Sequence, residues 1–272
     1  MSELDSVESS KFNDGDPIIL FGGGTSKPAT DGSRFNDAGL PIINLGGTPS
    51  KKNVLAELDQ QITKNIDEIR GLQHNEFAKK TSYRKAWETA THLYQQKLKS
   101  GKLKADGNPE EYHIALIAYT LASPKLYQEF NLATRSLLHE HDFNAYPFKT
   151  LFSLLNLAVQ HVKGEPETLT SSAKVYRGCQ GELSNAKKGQ HVIFQHFLST
   201  SAKEDIAQAF GSNVVFVISG GSKSKYVRMD AHSAMIKNEH EVLFSPLELY
   251  EITSVKKSGD INLIDLKIVT KH

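Results

Sequence analysis

Residues 191–219 read "HVIFQHFLSTSAKEDIAQAFGSNVVFVIS". Two β-branched and aromatic runs, "HVIFQHFLS" and "NVVFVIS", flank a segment that leaves the first run through Ser199, Thr200 and Ser201 and opens a helix. Runs of this kind, bounded by Ser, Asn and Gly, predict strands. The same character starts near residue 171 and continues through "AKVYRG", "KYVRM", "EVLF", "LELYEITSV" and "INLIDLKIV". The back third of the chain is therefore expected to be mostly sheet.

Upstream of this region the period lengthens. Leu55, Leu58, Ile62, Ile66 and Ile69 fall on one face at three- and four-residue steps, predicting a helix from about residue 53. Tyr83, Trp87, Ala90 and Tyr94 mark a second helix, "PEEYHIALIAYTL" a third with acidic residues in its first turn, and Phe148, Leu151, Leu155, Ala158 and Val162 a later one. Helices first and strands afterwards describe an α+β domain, in which an antiparallel or mixed sheet packs against segregated helices. The expected catalytic domain is 53–272, with a helical part over about 53–165 and a sheet part over about 171–270.

Residues 1–52 stand apart. "KFNDGDPIILFGGGTSKP", from Lys11, is echoed by "RFNDAGLPIINLGGTPSK", from Arg34, with Phe-Asn-Asp, Pro-Ile-Ile and Gly-Gly in the same order. The Gly-Gly-Gly-Thr-Ser-Lys at 22–27 lacks Walker spacing and a following helix signal, so it is not read as a phosphate loop. A glycine-rich peripheral tail, or a pair of short extended segments, is the expectation.

Composition narrows the class. The chain has 272 residues, 39% of them hydrophobic and 23% charged, enough for one substantial core. Its 32 basic and 31 acidic residues give a net charge of +1, which argues against a broad basic face for nucleic acid or anionic membrane. No run approaches the roughly 20 apolar residues of a membrane span, and neither a signal peptide nor a lipid anchor is read. With one cysteine, Cys179, no disulfide forms within the chain. A monomer is expected.

Three places hold residues suited to chemistry. In "KNEHEVLF", residues 237–244, Glu239 and Glu241 sit one residue apart before an apolar run. On a strand both carboxylates project to one side and His240 to the other. Like charges so close raise the pKa of at least one partner, a device for dividing labour between stabilising charge and moving protons, although an exposed strand end reads the same. Arg177 in "KVYRGCQG" ends an apolar strand and is followed by Gly178, which permits close approach to the backbone. Its guanidinium suits a phosphate or a neighbouring carboxylate. Ser199, Thr200 and Ser201 form the third place, where Ser201 with Glu204 also fits a capping box. His113, His196 and His240 have no ligand spacing with other donors, and no metal is expected.

The order of these elements, Arg after a strand, Ser-Thr-Ser at the end of the next and Glu-x-Glu at the start of a later one, resembles the R-S-ExE pattern of arginine-specific mono-ADP-ribosyltransferases. The resemblance extends through "HIALIAYT", "LYQEFNLATR", "FKTLFSLLNLAV", "VYRG", "FLSTS", "AFGSNVVFVI" and "EHEVLFSPLELYEI", roughly residues 80–252, and points to the vertebrate-type ecto-enzymes and related bacterial toxins. It implies a mixed two-sheet β core with NAD, a substrate, held in the cleft between the sheets. It implies loss of nicotinamide through an oxocarbenium-like transition state and attack by an arginine of a target protein.

On this resemblance Glu241 would bind the ribose 2′-hydroxyl and stabilise the developing positive charge. Glu239 would orient the incoming guanidinium and help remove its proton. Arg177 would clamp the NAD phosphates beside Gly178, and Ser199 would hold the Glu241 rotamer, with Thr200 and Ser201 supporting the fold. Phe210 matches an aromatic near the nicotinamide, and an amphipathic helix would equally place it in the core. The loop "DAHSAMIKN" would meet the acceptor protein. Lacking the disulfides and signal peptide of the ecto-enzymes, the chain is expected in the cytoplasm, or delivered into a host cell outside the general secretory route. An NAD glycohydrolase and a catalytically silent binding module are the competing readings.

Overall fold

The computed structural model describes residues 18–20, 43–45, 60–62, 65–140, 143, 145–162, 173–179, 186–194, 196–204, 213–220, 226–234 and 240–269. Leu55 and Leu58 lie outside them. Residues 60 and 61 are helical, within the span that the apolar period predicts. The Asn65 side chain accepts the backbone N–H groups of Asp67 and Glu68 at 2.9 and 3.4 Å, and α1 runs from it over Ile66–Lys79. An asparagine in this position satisfies donors that a helix start leaves open.

The next helix, α2 (Thr81–Lys99), buries Tyr83, Ala86, Ala90 and Tyr94, the expected stripe. In α3 (Glu110–Tyr119) every residue from Glu111 to Tyr119 is buried, the mark of a helix covered on all sides. A helix not predicted from periodicity, α4 (Leu126–Glu140), buries Leu126, Phe130 and Leu137. The helix α5 (Lys149–His161) has no side-chain cap of its own at Phe148. Glu76 of α1 supplies one, accepting Thr150 N–H at 3.2 Å and Thr150 Oγ1 at 2.6 Å.

Among the described residues, ten strands form one hydrogen-bonded ladder in the order β1-β2-β4-β9-β10-β6-β3-β5-β8-β7. They are β1 (Ile18–Leu20), β2 (Ile43–Leu45), β3 (Lys174–Cys179), β4 (His191–Phe194), β5 (Leu198–Ser201), β6 (Val214–Ser219), β7 (Tyr226–Arg228), β8 (Glu241–Phe244), β9 (Tyr250–Ser258) and β10 (Ile261–Ile268). Among the described strands only β10 and β6 run parallel, so the sheet is mixed, as expected of the α+β class. The two tail strands fall at matching places in the repeat, β1 on Ile18 and Ile19 and β2 from Ile43, and extend the ladder at its margin through β2 and β4.

The two-sheet character shows at one joint. β3 meets β5 through a single residue pair, Tyr176 with Ser201, whereas its other neighbour β6 pairs with it over six residues from Lys174 to Cys179. Beyond the joint, β5, β8 and β7 lie between two cores. Val227, Met229 and Leu243 pack with the helices, while Leu198, Val242 and Phe244 pack with Val175, Phe194, Phe216 and Ile264. Alternate residues of one strand thus close two hydrophobic clusters.

"HVIFQHFLS" is two strands rather than one. Phe197 leaves the sheet core and inserts among Phe130, Phe152 and Tyr119, with ring centroids at 5.7, 5.4 and 6.3 Å. Tyr119 also donates to the Phe197 carbonyl at 3.3 Å. Burying a phenylalanine in this way contributes about 2–3 kcal/mol, and it breaks the run and fixes where β5 begins.

Candidate active site

The joint between β3 and β5 brings three of the sequence-predicted residues together. Arg177 of β3 donates through its guanidinium to the Ser199 carbonyl at 2.9 Å. Ser199 Oγ in turn donates to Oε1 of Glu241 in a short hydrogen bond. The three are separated in sequence but continuous in space, and their exposures are 3%, 2% and 2%. A carboxylate and a guanidinium shielded from water act on a nearby charge far more strongly than they would in solvent.

Strand register explains the contact. Ser199 pairs with Leu243 and Ser201 with Glu241, so Ser199 and Glu241 are diagonal neighbours on one face, the face that carries Leu243 towards the helices. Between the two serines, Thr200 points the other way and donates to the Val242 carbonyl at 2.8 Å, while Ser201 Oγ accepts Lys203 N–H at 3.1 Å. Both support the strand ends, as expected.

Two details differ from the sequence reading. β3 does not end at Arg177 but continues through Gly178, paired with Val215, to Cys179. β8 begins at Glu241, and His240 has φ of 46°, in the left-handed region. The extended geometry of β8 therefore stops short of His240. A non-glycine residue held there is strained, a feature that clusters at functional sites. The His240 carbonyl is fixed by Ala202 N–H at 3.0 Å. Glu239 and Phe210 lie outside the described residues.

Cys179 is no nucleophile, since burial pushes its thiol up to about 12, against the opposing pull of the Arg177 charge. Among the described residues no His, Cys, Asp and Glu cluster suits a metal ion.

Sequence reasoning missed a pair of buried histidines. His113 on α3 and His232, in the turn after β7, meet at 2.9 Å between Nδ1 and Nε2, and Asp106 lies 3.0 Å from the other nitrogen of His113. Burial, then the neighbouring His113 and Lys97 charges, hold His232 down to about 3, so it is neutral. No spacing rule links residues so far apart in sequence.

The joint thus sets a hydrogen-bonded Arg177, Ser199 and Glu241 between a helical layer and a mixed sheet. The family model described as "ART: NAD:arginine ADP-ribosyltransferase" matches residues 55–272, and the chain belongs to that family. Over 188 residues it is 33% identical to NAD(P)(+)–arginine ADP-ribosyltransferase 2 of Gallus gallus, covering 68% of this chain and 57% of that one. Over 204 residues it is 29% identical to ecto-ADP-ribosyltransferase 5 of Bos taurus, covering 72% of this chain and 61% of the relative. The chain thus spans less than two thirds of either relative's length. Among solved structures, the eucaryotic mono-ADP-ribosyltransferase ART2.2 in complex with NADH superposes with a TM-score of 0.60 at 21% identity, covering 78% of this chain and 91% of that one. That likeness establishes the fold.

Proposed function

We propose that the protein transfers ADP-ribose from NAD to arginine side chains of a target protein. The bond between the ribose C1 and the nicotinamide nitrogen breaks, its electron pair leaving with nicotinamide. A guanidine nitrogen of the acceptor forms the new bond to C1 and gives up a proton. Acting as a monomer, the chain uses the R-S-ExE set: Arg177, Ser199, Glu239 and Glu241.

The observation that carries this reading is the hydrogen-bonded chain from Arg177 through Ser199 to Glu241. Glu241 is a buried carboxylate whose rotamer is fixed by Ser199, suited to stabilise positive charge growing on a ribose and to accept a hydrogen bond from its 2′-hydroxyl. Arg177 holds β5 in place and puts a cation where a diphosphate needs one, with Gly178 beside it. Glu239 is assigned the acceptor: it orients the incoming guanidinium and takes its proton, without which arginine is a poor nucleophile. Phe210 is assigned to the nicotinamide side.

With a single cysteine the chain forms no internal disulfide, which supports work in a reducing compartment, the cytoplasm or a host cell entered as an effector. The test uses labelled NAD and a cell lysate, followed by hydroxylamine under conditions that release arginine-linked ADP-ribose. Labelled, hydroxylamine-sensitive protein bands that disappear with Glu239→Gln are the expected result. Free ADP-ribose without labelled protein would instead identify a glycohydrolase, and intact NAD a silent binding module.

A further inference from the structure

The outer flank of β8 is held from the helical layer by groups that have no part in the reading above. β7 is a three-residue strand at the end of the ladder, paired with β8 from Tyr226 and Phe244 to Arg228 and Val242. The pairing runs one step further, where Met229 N–H donates to the Glu241 carbonyl at 2.9 Å. Glu241, the first residue of β8, thus lies between Ser201 of β5 on one side and Met229 on the other. The Met229 carbonyl then accepts His232 N–H at 2.9 Å and Ser233 N–H at 2.7 Å, a turn that carries the His232 ring into the helices. That ring lies nearly parallel to the ring of His113, centroids 5.2 Å apart, and His113 stacks with Tyr94 of α2 at 5.7 Å. Both histidines are buried.

The direction of the hydrogen bonds follows from chemistry. An ionised carboxylate only accepts, so His113 Nε2 donates to Asp106, and the contact between His113 Nδ1 and His232 Nε2 holds a single proton. Burial draws the Asp106 carboxyl upward, but hydrogen bonds from Asn108 and His113 outweigh it and keep the group below its ordinary value, hence ionised. Thr120, at the end of α3, adds a second tie. Its Oγ1 accepts Ala234 N–H at 2.8 Å while donating to the Ile117 carbonyl at 2.8 Å. Ring, backbone and hydroxyl together fix the turn from Met229 to Ala234 against α3. A three-residue strand at the end of a sheet opens readily unless something beyond its own ladder holds it, and this turn does so for β7.

We propose that His113, His232 and Thr120 are positioning residues for NAD cleavage: they pin the turn at 229–234 to α3 and, through Met229 N–H, hold the Glu241 backbone where its carboxylate faces the ribose. Ser199 fixes the rotamer of that carboxylate, and the turn fixes the strand end from which it projects. A loosened turn lets the first residue of β8 shift. The stabilisation lost is that of charge growing in the transition state, while Arg177, on β3, goes on binding the diphosphate. This rests on the assignment of Glu241 to the ribose made above.

The test measures nicotinamide release against NAD concentration and, on the same preparations of the full chain, amide hydrogen exchange at Met229. His232→Phe keeps a ring but loses the hydrogen bond to His113. It is expected to lower kcat about tenfold, to leave KM for NAD within about twofold, and to speed exchange at Met229 about tenfold or more. His232→Gln, whose amide reaches the place of Nε2, restores most of the rate and of the protection. Thr120→Val, which keeps shape but loses the tie to Ala234, shows the same pattern and serves where the histidine variant folds poorly. An unchanged kcat in both His232→Phe and Thr120→Val, a loss of kcat with Met229 still protected, or a loss that His232→Gln does not reverse, would overturn the proposal. Glu241→Gln separates the two levels of failure. If it cleaves NAD at the parent rate, the assignment of Glu241 falls and this proposal with it. If it slows cleavage while the His232 and Thr120 variants do not, only the positioning role falls.

Discussion

Ser199 holds the Glu241 carboxylate through one hydroxyl, and that contact sets the expectation for its removal. Ser199→Ala should slow nicotinamide release about tenfold while leaving the fold intact, because a hydrogen bond to a charged group contributes about 1.5–3 kcal/mol; kcat for NAD cleavage beside a thermal melt checks both halves. His240 carries a different expectation, from its φ of 46°. His240→Gly should be neutral or slightly stabilising, whereas His240→Val should cost about 1–2 kcal/mol, since a β-branched residue fits the left-handed region poorly; urea midpoints decide. His232 gives a pH dependence. Its folded-state pKa lies near 3 and its unfolded one near 6.5. Above the unfolded value neither state binds a proton there and the residue contributes no slope. As pH falls below that value the unfolded chain takes a proton that the folded protein refuses, so stability declines, at up to about 1.4 kcal/mol per pH unit. Comparing denaturation midpoints at about pH 7 and about pH 5, His232→Gln should lose less than the parent protein.

At the scale of elements, α5 depends on α1 for its start. Glu76 accepts both the N–H and the hydroxyl of Thr150, and Thr150 joins Tyr83 at 3.1 Å and through it Gln73 at 2.9 Å. Glu76→Ala would strip the cap and leave buried polar groups without their partner, so a loss of about 2–3 kcal/mol is expected in chemical denaturation, with NAD cleavage retained. The helices that were legible in sequence, α2, α3 and α5, bury stripes or whole surfaces that periodicity reveals directly. The separate start of α1 at Asn65 was not legible because the apolar steps at Ile62, Ile66 and Ile69 continue through it, where a local hydrogen bond caps the helix. The split between β4 and β5 was hidden for the opposite reason. Phe197 suits a strand by propensity, and only the distant rings of Phe130 and Phe152 draw it out of the sheet.

Across the whole molecule, the catalytic reading depends on the ladder being joined at β3 and β5, far from the margin where the tail adds β1 and β2. Arg177, Ser199 and Glu241 were legible because they arrive in order on three strands; that they meet required the register of β5 with β8, which no spacing in the chain states. The Asp106, His113 and His232 chain was illegible on the same ground, joining two loops to a helix across most of the domain. Removing residues 1–52 would uncover the edge of β4, so poorer solubility is expected, with NAD cleavage within about twofold of the full chain. Should that truncation lose its activity while remaining folded, the tail would have a part in the site. Above all, the account stands on Glu241 facing the bond that breaks. Nicotinamide release at saturating NAD, measured for Glu241→Gln beside the parent protein, is predicted to fall roughly 10²- to 10³-fold with the melting temperature nearly unchanged. An equally folded Glu241→Gln variant that cleaves NAD at the parent rate would contradict it.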